Sequence, residues 1–354
     1  MIAPRPHVAA LAPYALADPL GEGMVSLAQN ESYCAPSPAA LRAGQDALAQ
    51  NALYPDPDWQ ALRDAIAQVH RLDAAHVLCG AGSMELIAAL MASFVGPGDT
   101  VLASAYSYAF AATAVAQAQA HFVQVPELDL QVDVRAIVEA LTPQTKVVFL
   151  CNPGNPTGTA IATSDILWLR TQLPDRVLLV LDQAYGEFLD PQQPPGDLFD
   201  LTTLGNTAVL RTMSKAYGLA GARVGWLYAA PPLLESIRKL LLPNNVTAVS
   251  QAMATAAMLD QDYMGRSVAQ TIASRDHFCQ DLRALGLQVP VSATNFVLVR
   301  FGSLQRAQQA DQALRAHGVM TRTMAGYGLG DALRITVAAP DVMRRVSDVL
   351  RSLK

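Results

Sequence analysis

Short apolar runs alternate with segments of helical period through most of the chain. The run Val177-Leu-Leu-Val-Leu181 is continuous, as in strands that are buried on both faces of a parallel sheet. The segment from Pro38 to Asn51 instead has apolar residues at helical spacing, with polar residues between them. Because strands and helices alternate in this way over residues 45–250, the pattern predicts an α/β fold with a mostly parallel sheet and helices on both of its faces.

The same patterns place the individual elements. Strands are predicted over residues 24–27, 77–80, 100–104, 121–125, 146–151, 177–181, 207–210, 295–300, 318–322 and 333–337. Helices are predicted over residues 38–51, 59–70, 84–94, 109–120, 231–242, 250–260, 263–285, 307–317 and 340–353, and Ser83 is expected to be the N-cap of the third. We expect a large domain over residues 45–250 and a small domain formed by residues 1–44 and 251–354.

The composition excludes several functional classes. The chain has 354 residues, 51% of them apolar, and a net charge of −5 without a basic block, so we expect neither a nucleic acid nor a membrane as partner. It contains no apolar run long enough to span a bilayer and no signal-peptide pattern, which favours a cytoplasmic protein. Its 4 cysteines form no C-x-x-C pair and lie apart from the histidines, which argues against a metal site.

The segment from Leu210 to Trp226 contains the most specific chemistry. Lys215 lies among small and hydroxyl residues. A desolvated lysine loses part of its preference for the charged form, and a neutral amine can form a Schiff base with a carbonyl. Thr212, Ser214 and Arg223 are residue types that bind a phosphate. A carbonyl and a phosphate on one molecule indicate pyridoxal phosphate.

Other strand ends supply matching chemistry. Gly82 and Ser83 form a glycine turn before a helix, where free N–H groups and the helix dipole favour a phosphate. Asp182 ends a buried strand, where a carboxylate needs a cationic partner such as a protonated pyridine nitrogen. Arg334 lies in an apolar strand, and its planar fork suits a carboxylate. Two Asn-Pro pairs within residues 152–158 predict a rigid turn that includes Asn155.

These motifs together resemble the fold-type I pyridoxal phosphate enzymes, the aspartate aminotransferase superfamily. Within it the chain is most similar to the histidinol-phosphate aminotransferases, from about Asn30 to Arg334. The resemblance implies an aspartate aminotransferase-like fold, with a mostly parallel seven-stranded sheet in the large domain and a smaller α+β domain. It also implies a homodimer, pyridoxal phosphate as cofactor, and ping-pong transfer of an amino group to a 2-oxo acid through a Schiff base on Lys215.

The resemblance also assigns roles to residues. Lys215 is the catalytic residue, Tyr106 stacks on the cofactor ring, Asn155 and Tyr185 bind its phenolic oxygen, and Asp182 binds its pyridine nitrogen. The cofactor phosphate is implied to contact Gly82, Ser83, Met84, Thr212, Ser214, Arg223 and, from the other subunit, Tyr54. The substrate is implied to contact Arg334, Arg322, Tyr14, Asn30 and Asn155.

The chain departs from the family pattern at three positions. Ala35 replaces a usual glycine, Met84 a usual aspartate and Gln183 a usual glutamate. L-histidinol phosphate and 2-oxoglutarate are the expected substrates, in histidine biosynthesis. The alternatives are an aromatic or other amino acid aminotransferase, a decarboxylase of the threonine-phosphate type, and a non-catalytic regulator of the same fold, which the intact lysine and the lack of a DNA-binding extension disfavour.

Overall fold

The computed structural model describes residues 2–11, 19, 21, 23–189 and 198–353. Its helices are α1 Pro6–Ala9, α2 Pro38–Leu48, α3 Gln60–His70, α4 Ser83–Phe94, α5 Ala109–Gln117, α6 Val134–Glu139, α7 Thr163–Gln172, α8 Pro231–Arg238, α9 Ala248–Leu259, α10 Gln261–Ala284, α11 Leu304–Ala316 and α12 Pro340–Arg351. Its strands are β1 Val25–Ser26, β2 Val77–Gly80, β3 Thr100–Ser104, β4 His121–Val125, β5 Glu127–Leu128, β6 Gln131–Val132, β7 Thr145–Cys151, β8 Leu178–Asp182, β9 Thr207–Thr212, β10 Gly225–Ala229, β11 Phe296–Arg300, β12 Val319–Met320, β13 Arg322–Thr323 and β14 Ala332–Thr336.

A seven-stranded sheet forms the centre of the larger part of the molecule. Its strand order is β2-β10-β9-β8-β7-β3-β4, and only β10 runs antiparallel to its neighbours. Every residue of β8 is buried, as expected for a strand covered on both faces by helices. The predicted α/β class and the mostly parallel seven-stranded sheet are therefore confirmed.

The carboxyl ends of the central strands meet at one edge of this sheet. Cys151 at the end of β7 is in register with Asp182 at the end of β8, and Asp182 with Leu210 of β9. Open α/β sheets bind their ligands in the crevice beyond this edge. The segments that follow β7, β8 and β9 contain Asn155, Tyr185 and Lys215, so the topology brings three predicted site residues to one place.

A smaller antiparallel sheet, in the order β11-β14-β13, packs with α10, α11 and α12 around a second apolar cluster. The short strand β1 pairs in parallel with β12 and attaches the N-terminal segment to this part. Ala40 of α2 and Ala254 of α9 belong to the core of the larger part. The domain boundaries at residues 45 and 250 stay a prediction.

Three local predictions were wrong or incomplete. The strand predicted over residues 318–322 is two strands, because β12 pairs with β1 whereas β13 pairs with β14. Ser83 is the first residue of α4 and not its N-cap; Gly82 holds that position, with a φ of 82° that favours glycine. The sequence reasoning also omitted several elements, namely α1, α6, α7, the β5–β6 hairpin and β10.

Two features are absent from the described residues. Among them, no helix combines the length and the apolar character needed to cross a bilayer. Nor do these residues gather three His, Cys, Asp or Glu side chains into a group that could hold a metal ion.

Candidate active site

Lys215 lies just beyond the end of β9, in the crevice at the carboxyl edge of the sheet. Its Nζ donates a hydrogen bond to the carbonyl oxygen of Gln29 at 3.1 Å and lies 6.0 Å from the centre of the Tyr185 ring. Burial, reinforced by the positive charges of Arg334 and Arg223, lowers the pKa of Lys215 to about 8. Roughly a tenth of the amines are then neutral at pH 7, far more than for an ordinary lysine.

Hydroxyl and guanidinium groups gather beside Lys215. Thr212 Oγ1 lies 3.0 Å from Ser214 Oγ, and Arg223 Nη1 lies 3.4 Å from the same oxygen. Gly82, at the N-terminus of α4, faces this group so closely that a Cβ there would collide with the Arg223 guanidinium. Three hydrogen-bonding side chains beside a helix N-terminus form a site that suits a phosphate. Ser83, which follows Gly82, is half-buried at the same helix end.

Asp182 is the buried acid of the site. Its Oδ1 accepts a hydrogen bond from the Ala184 N–H at 3.1 Å, and the side chain is almost fully shielded from solvent. Burial raises the pKa of Asp182 to about 6, although the nearby positive charge of Lys215 acts in the opposite direction. A cationic ligand group beside Asp182 would offset the cost of burying its charge.

The hydrogen bonds of Asn155 and Tyr185 leave both residues as donors. Asn155 Oδ1 accepts from Arg334 Nη1 at 2.7 Å, so the hydrogens of the amide nitrogen remain to be donated. The Tyr185 hydroxyl oxygen accepts from Asn30 Nδ2 at 2.7 Å, and its own proton remains to be donated. Two donors at the same strand ends suit an anionic oxygen, as the predicted role in binding a phenolic oxygen requires.

Arg334 is held at the boundary between the two sheets. Besides its bond to Asn155, it donates through Nη2 to the carbonyl oxygen of Ala28 at 2.7 Å, and its guanidinium lies 5.4 Å from the centre of the Phe296 ring. Arg322 of β13 is its direct partner across the small sheet and is half-buried. Direct partners on neighbouring strands have side chains on the same face, so Arg322 lies on the face of the small sheet from which Arg334 extends.

The remaining predicted site residues occupy different positions. Tyr106 follows β3 and packs at the edge of a small apolar cluster, and its N–H donates to Glu127 Oε1 at 3.2 Å. Met84 is half-buried in the first turn of α4. Tyr54 is 88% exposed, outside the crevice of its own chain, as a residue that reaches a partner subunit would be. Tyr14 lies outside the described residues.

Two residues that the sequence reasoning did not single out support the glycine turn. Glu85 Oε2 accepts from the Ala81 N–H at 2.6 Å and from Asn245 Nδ2 at 2.6 Å. Glu85 is the third residue of α4, and a glutamate at this position commonly bonds back to the N–H groups that precede a helix. That spacing could have identified Glu85. The contact with Asn245 joins positions 160 residues apart and has no local signal.

Comparison with known proteins identifies the kind of protein to which this site belongs. Residues 22–348 match the family model described as aminotransferase class I and II. The chain is 39% identical over 354 residues to a histidinol-phosphate aminotransferase of Granulibacter bethesdensis, covering 99% of this chain and 95% of the relative. The crystal structure of a histidinol-phosphate aminotransferase from Sinorhizobium meliloti, in complex with pyridoxal-5'-phosphate, is 28% identical and superposes with a TM-score of 0.91 over 99% of this chain and 98% of that one. A Thermus thermophilus aspartate aminotransferase variant shares the fold, with 19% identity and a TM-score of 0.86 over the whole of both chains.

Proposed function

Since this chain belongs to the class I and II aminotransferases, we propose that it is a pyridoxal phosphate-dependent enzyme that transfers the amino group of L-histidinol phosphate to 2-oxoglutarate. The observation that carries the cofactor assignment is the position of Lys215, an amine of lowered pKa between a phosphate-type site and a buried acid. The donor is proposed from the relatives that are histidinol-phosphate aminotransferases and from the two arginines on one face of the small sheet.

The residues present fit pyridoxal phosphate in shape and charge. Gly82 has a positive φ that favours glycine, and the Arg223 guanidinium lies directly against it at the N-terminus of α4, where backbone N–H groups can face a phosphate. Thr212, Ser214 and Arg223 would hold that phosphate, Asp182 the pyridine nitrogen, and Asn155 and Tyr185 the phenolic oxygen. Tyr106 would stack on the ring. When bound, the cofactor supplies a carbonyl that reacts with amines and a ring that accepts electrons.

Lys215 would move the reacting proton. An amine whose pKa lies near neutral pH exists in both protonation states at once, so it can remove a proton from the substrate carbon and return it to a neighbouring atom. Asp182 would keep a positive charge on the ring beside it, because a buried carboxylate is stable only with such a partner. Arg334 would hold the carboxylate of the oxo acid, and Arg322 the phosphate of the donor.

A homodimer is part of the proposal. Tyr54 is followed by a proline-containing loop over residues 55–58 and lies too exposed to serve its own site. We place its hydroxyl on the cofactor phosphate of the other subunit.

The test is the absorbance spectrum of the purified protein with pyridoxal phosphate. A visible band that bleaches on addition of L-histidinol phosphate, and returns on addition of 2-oxoglutarate, supports the proposal in full. Bleaching by phenylalanine instead would replace the donor with an aromatic amino acid. Release of carbon dioxide from threonine phosphate would replace transamination with decarboxylation. If no visible band forms, the assignment of Lys215 fails.

A further inference from the structure

Asn30 is a buried residue with an unusual backbone. It lies in the segment between β1 and α2, is 2% exposed and has a φ of 56°, in the left-handed region. Asparagine is one of the few side chains that adopt this conformation readily. The hydrogen bonds of Asn30 explain why a buried residue adopts this conformation.

Every polar group of Asn30 has a partner, and these partners are Thr336, Asn295 and Tyr185. Its backbone N–H donates to Thr336 Oγ1 at 3.0 Å, and its side-chain Oδ1 accepts from the same hydroxyl at 3.3 Å. Its carbonyl oxygen accepts from Asn295 Nδ2 at 3.0 Å. Its Nδ2 donates to the Tyr185 hydroxyl at 2.7 Å. Thr336 of β14 therefore holds the side-chain amide through its oxygen, Asn295 holds the backbone carbonyl, and the amide nitrogen donates to Tyr185.

The hydrogen bond from Asn30 Nδ2 to the Tyr185 hydroxyl determines which hydrogen bond this hydroxyl can make in turn. A hydroxyl that accepts a hydrogen bond from an amide becomes a better donor, because the two bonds polarise each other. Burial raises the pKa of the Tyr185 phenol, and the hydrogen bond from Asn30 acts in the opposite direction. The charged and titratable groups that act on this phenol are Arg334, Asp182 and Cys151, and Lys215 lies over its ring.

We propose that Asn30 is a positioning residue that acts through Tyr185, by holding the tyrosine hydroxyl as a hydrogen-bond donor toward the phenolic oxygen of the cofactor. This inference rests on the proposed function, and it replaces a direct substrate contact for Asn30 with an indirect role. Thr336 and Asn295 fix Asn30, so the strand that carries Arg334 also sets the state of the cofactor.

The expected effect has a definite sign. Donation from Tyr185 favours the deprotonated form of the bound cofactor, in which the phenolic oxygen carries more negative charge. Losing the fixed donor weakens that preference, so the pH midpoint of the visible absorbance band rises. A single hydrogen bond of ordinary strength corresponds to a shift of roughly 0.5–1 pH unit.

The experiment is a double-mutant cycle on the holoenzyme, read by the pH midpoint of the visible band. Asn30→Gly removes the amide and tolerates the left-handed backbone, so it separates the hydrogen bond from backbone strain. Asn30→Gly and Tyr185→Phe should each raise the midpoint, and the double variant should shift no further than Tyr185→Phe alone. Thr336→Val should give a smaller shift in the same direction, and it replaces Asn30→Gly if that variant fails to fold.

The control is Ser274→Ala, which removes another buried hydrogen bond of the smaller part, from Ser274 Oγ to the Ala338 carbonyl oxygen at 2.8 Å, away from Tyr185. Its midpoint should equal that of the wild type. The proposal is overturned if Asn30→Gly and Thr336→Val leave the midpoint unchanged, or if Asn30→Gly shifts it equally with and without Tyr185. Absence of a visible band in the wild type would instead overturn the proposed function.

Discussion

Arg322 and Arg334 are direct partners across the antiparallel pair β13–β14, so their side chains leave the same face of the small sheet. Like charges that lie opposite each other on neighbouring strands repel, and an anion bound between them reduces the repulsion. The pairing therefore gives a structural reason for a substrate with an anionic group, such as the phosphate of the proposed donor.

We predict that Arg322→Ala selectively weakens the use of a phosphorylated donor. Loss of a charge-assisted hydrogen bond should lower kcat/KM for L-histidinol phosphate about 10- to 100-fold, while the value for L-histidinol, which lacks the phosphate, stays within about twofold. Steady-state kinetics with both amines measure this ratio. Arg300→Ala is the matched control, since Arg300 belongs to the same sheet but pairs with Asp331 at 2.9 Å. Equal losses of kcat/KM for both amines would show that Arg322 does not bind the phosphate.

The lowered pKa of Lys215 predicts how the apoprotein takes up pyridoxal phosphate. Only the neutral amine reacts, so the uptake rate should rise about tenfold per pH unit below the pKa of about 8 and level off above it. The positive charge of Arg334 is one cause of the lowered pKa, so Arg334→Met should move the midpoint to higher pH. Stopped-flow absorbance measures both profiles. Arg300→Met should leave the midpoint unchanged, and a wild-type midpoint near the ordinary lysine value of 10.5 would contradict the prediction.

Asp182→Asn should stabilise the apoprotein while impairing catalysis. Because the pKa of Asp182 is raised from 3.8 to about 6, the folded state binds more protons than the unfolded state between these values, and stability falls as the pH rises through them. The full cost, about 3 kcal/mol, is present above pH 6 and absent below about pH 4. An asparagine at this position still has a side-chain oxygen that can accept the hydrogen bond from the Ala184 N–H, but it carries no negative charge.

Urea unfolding of the two apoproteins at pH 4 and pH 8 measures this difference. The gain in the free energy of unfolding from Asp182→Asn should be present at pH 8 and small at pH 4. The loaded variant should turn over about 100-fold more slowly or worse, since it lacks the charge that faces the ring. A variant that is less stable than the wild type at pH 8 would show that the charge of Asp182 is already paired without the cofactor.

Hybrid dimers test whether Tyr54 acts on the partner subunit. If it does, subunits with Tyr54→Ala and subunits with Lys215→Ala, each inactive alone, form mixed dimers in which one site is intact and the other lacks both residues. Random reassociation of equal amounts should restore roughly a quarter of the wild-type activity. Dilution and mixing followed by an activity assay measure the recovery. Mixtures that stay inactive, although mixed dimers form, would place Tyr54 in its own site.

The sequence predicted much of the site because its parts are local. Asp182 ends a continuous apolar run, Gly82 lies between a strand and a helix, and Lys215 lies in a segment of small and hydroxyl residues. In each case the backbone geometry follows from neighbouring residues, and the parallel sheet then brings the strand ends together. The same local patterns failed for residues 318–322, where a single run of sequence is divided between two sheets.

By itself, the sequence determined the α/β class, six of the seven strands of the central sheet and the residue types at their ends, because periodicity and turn chemistry act over a few residues. Only the tertiary structure decided which polar groups meet. Asn30 reaches Tyr185 across 155 residues, and Arg334 reaches Asn155 across 179. Such partners are chosen by how the smaller part of the molecule packs against the loops that follow the central strands, and a contact between distant positions leaves no pattern in the residues beside either one.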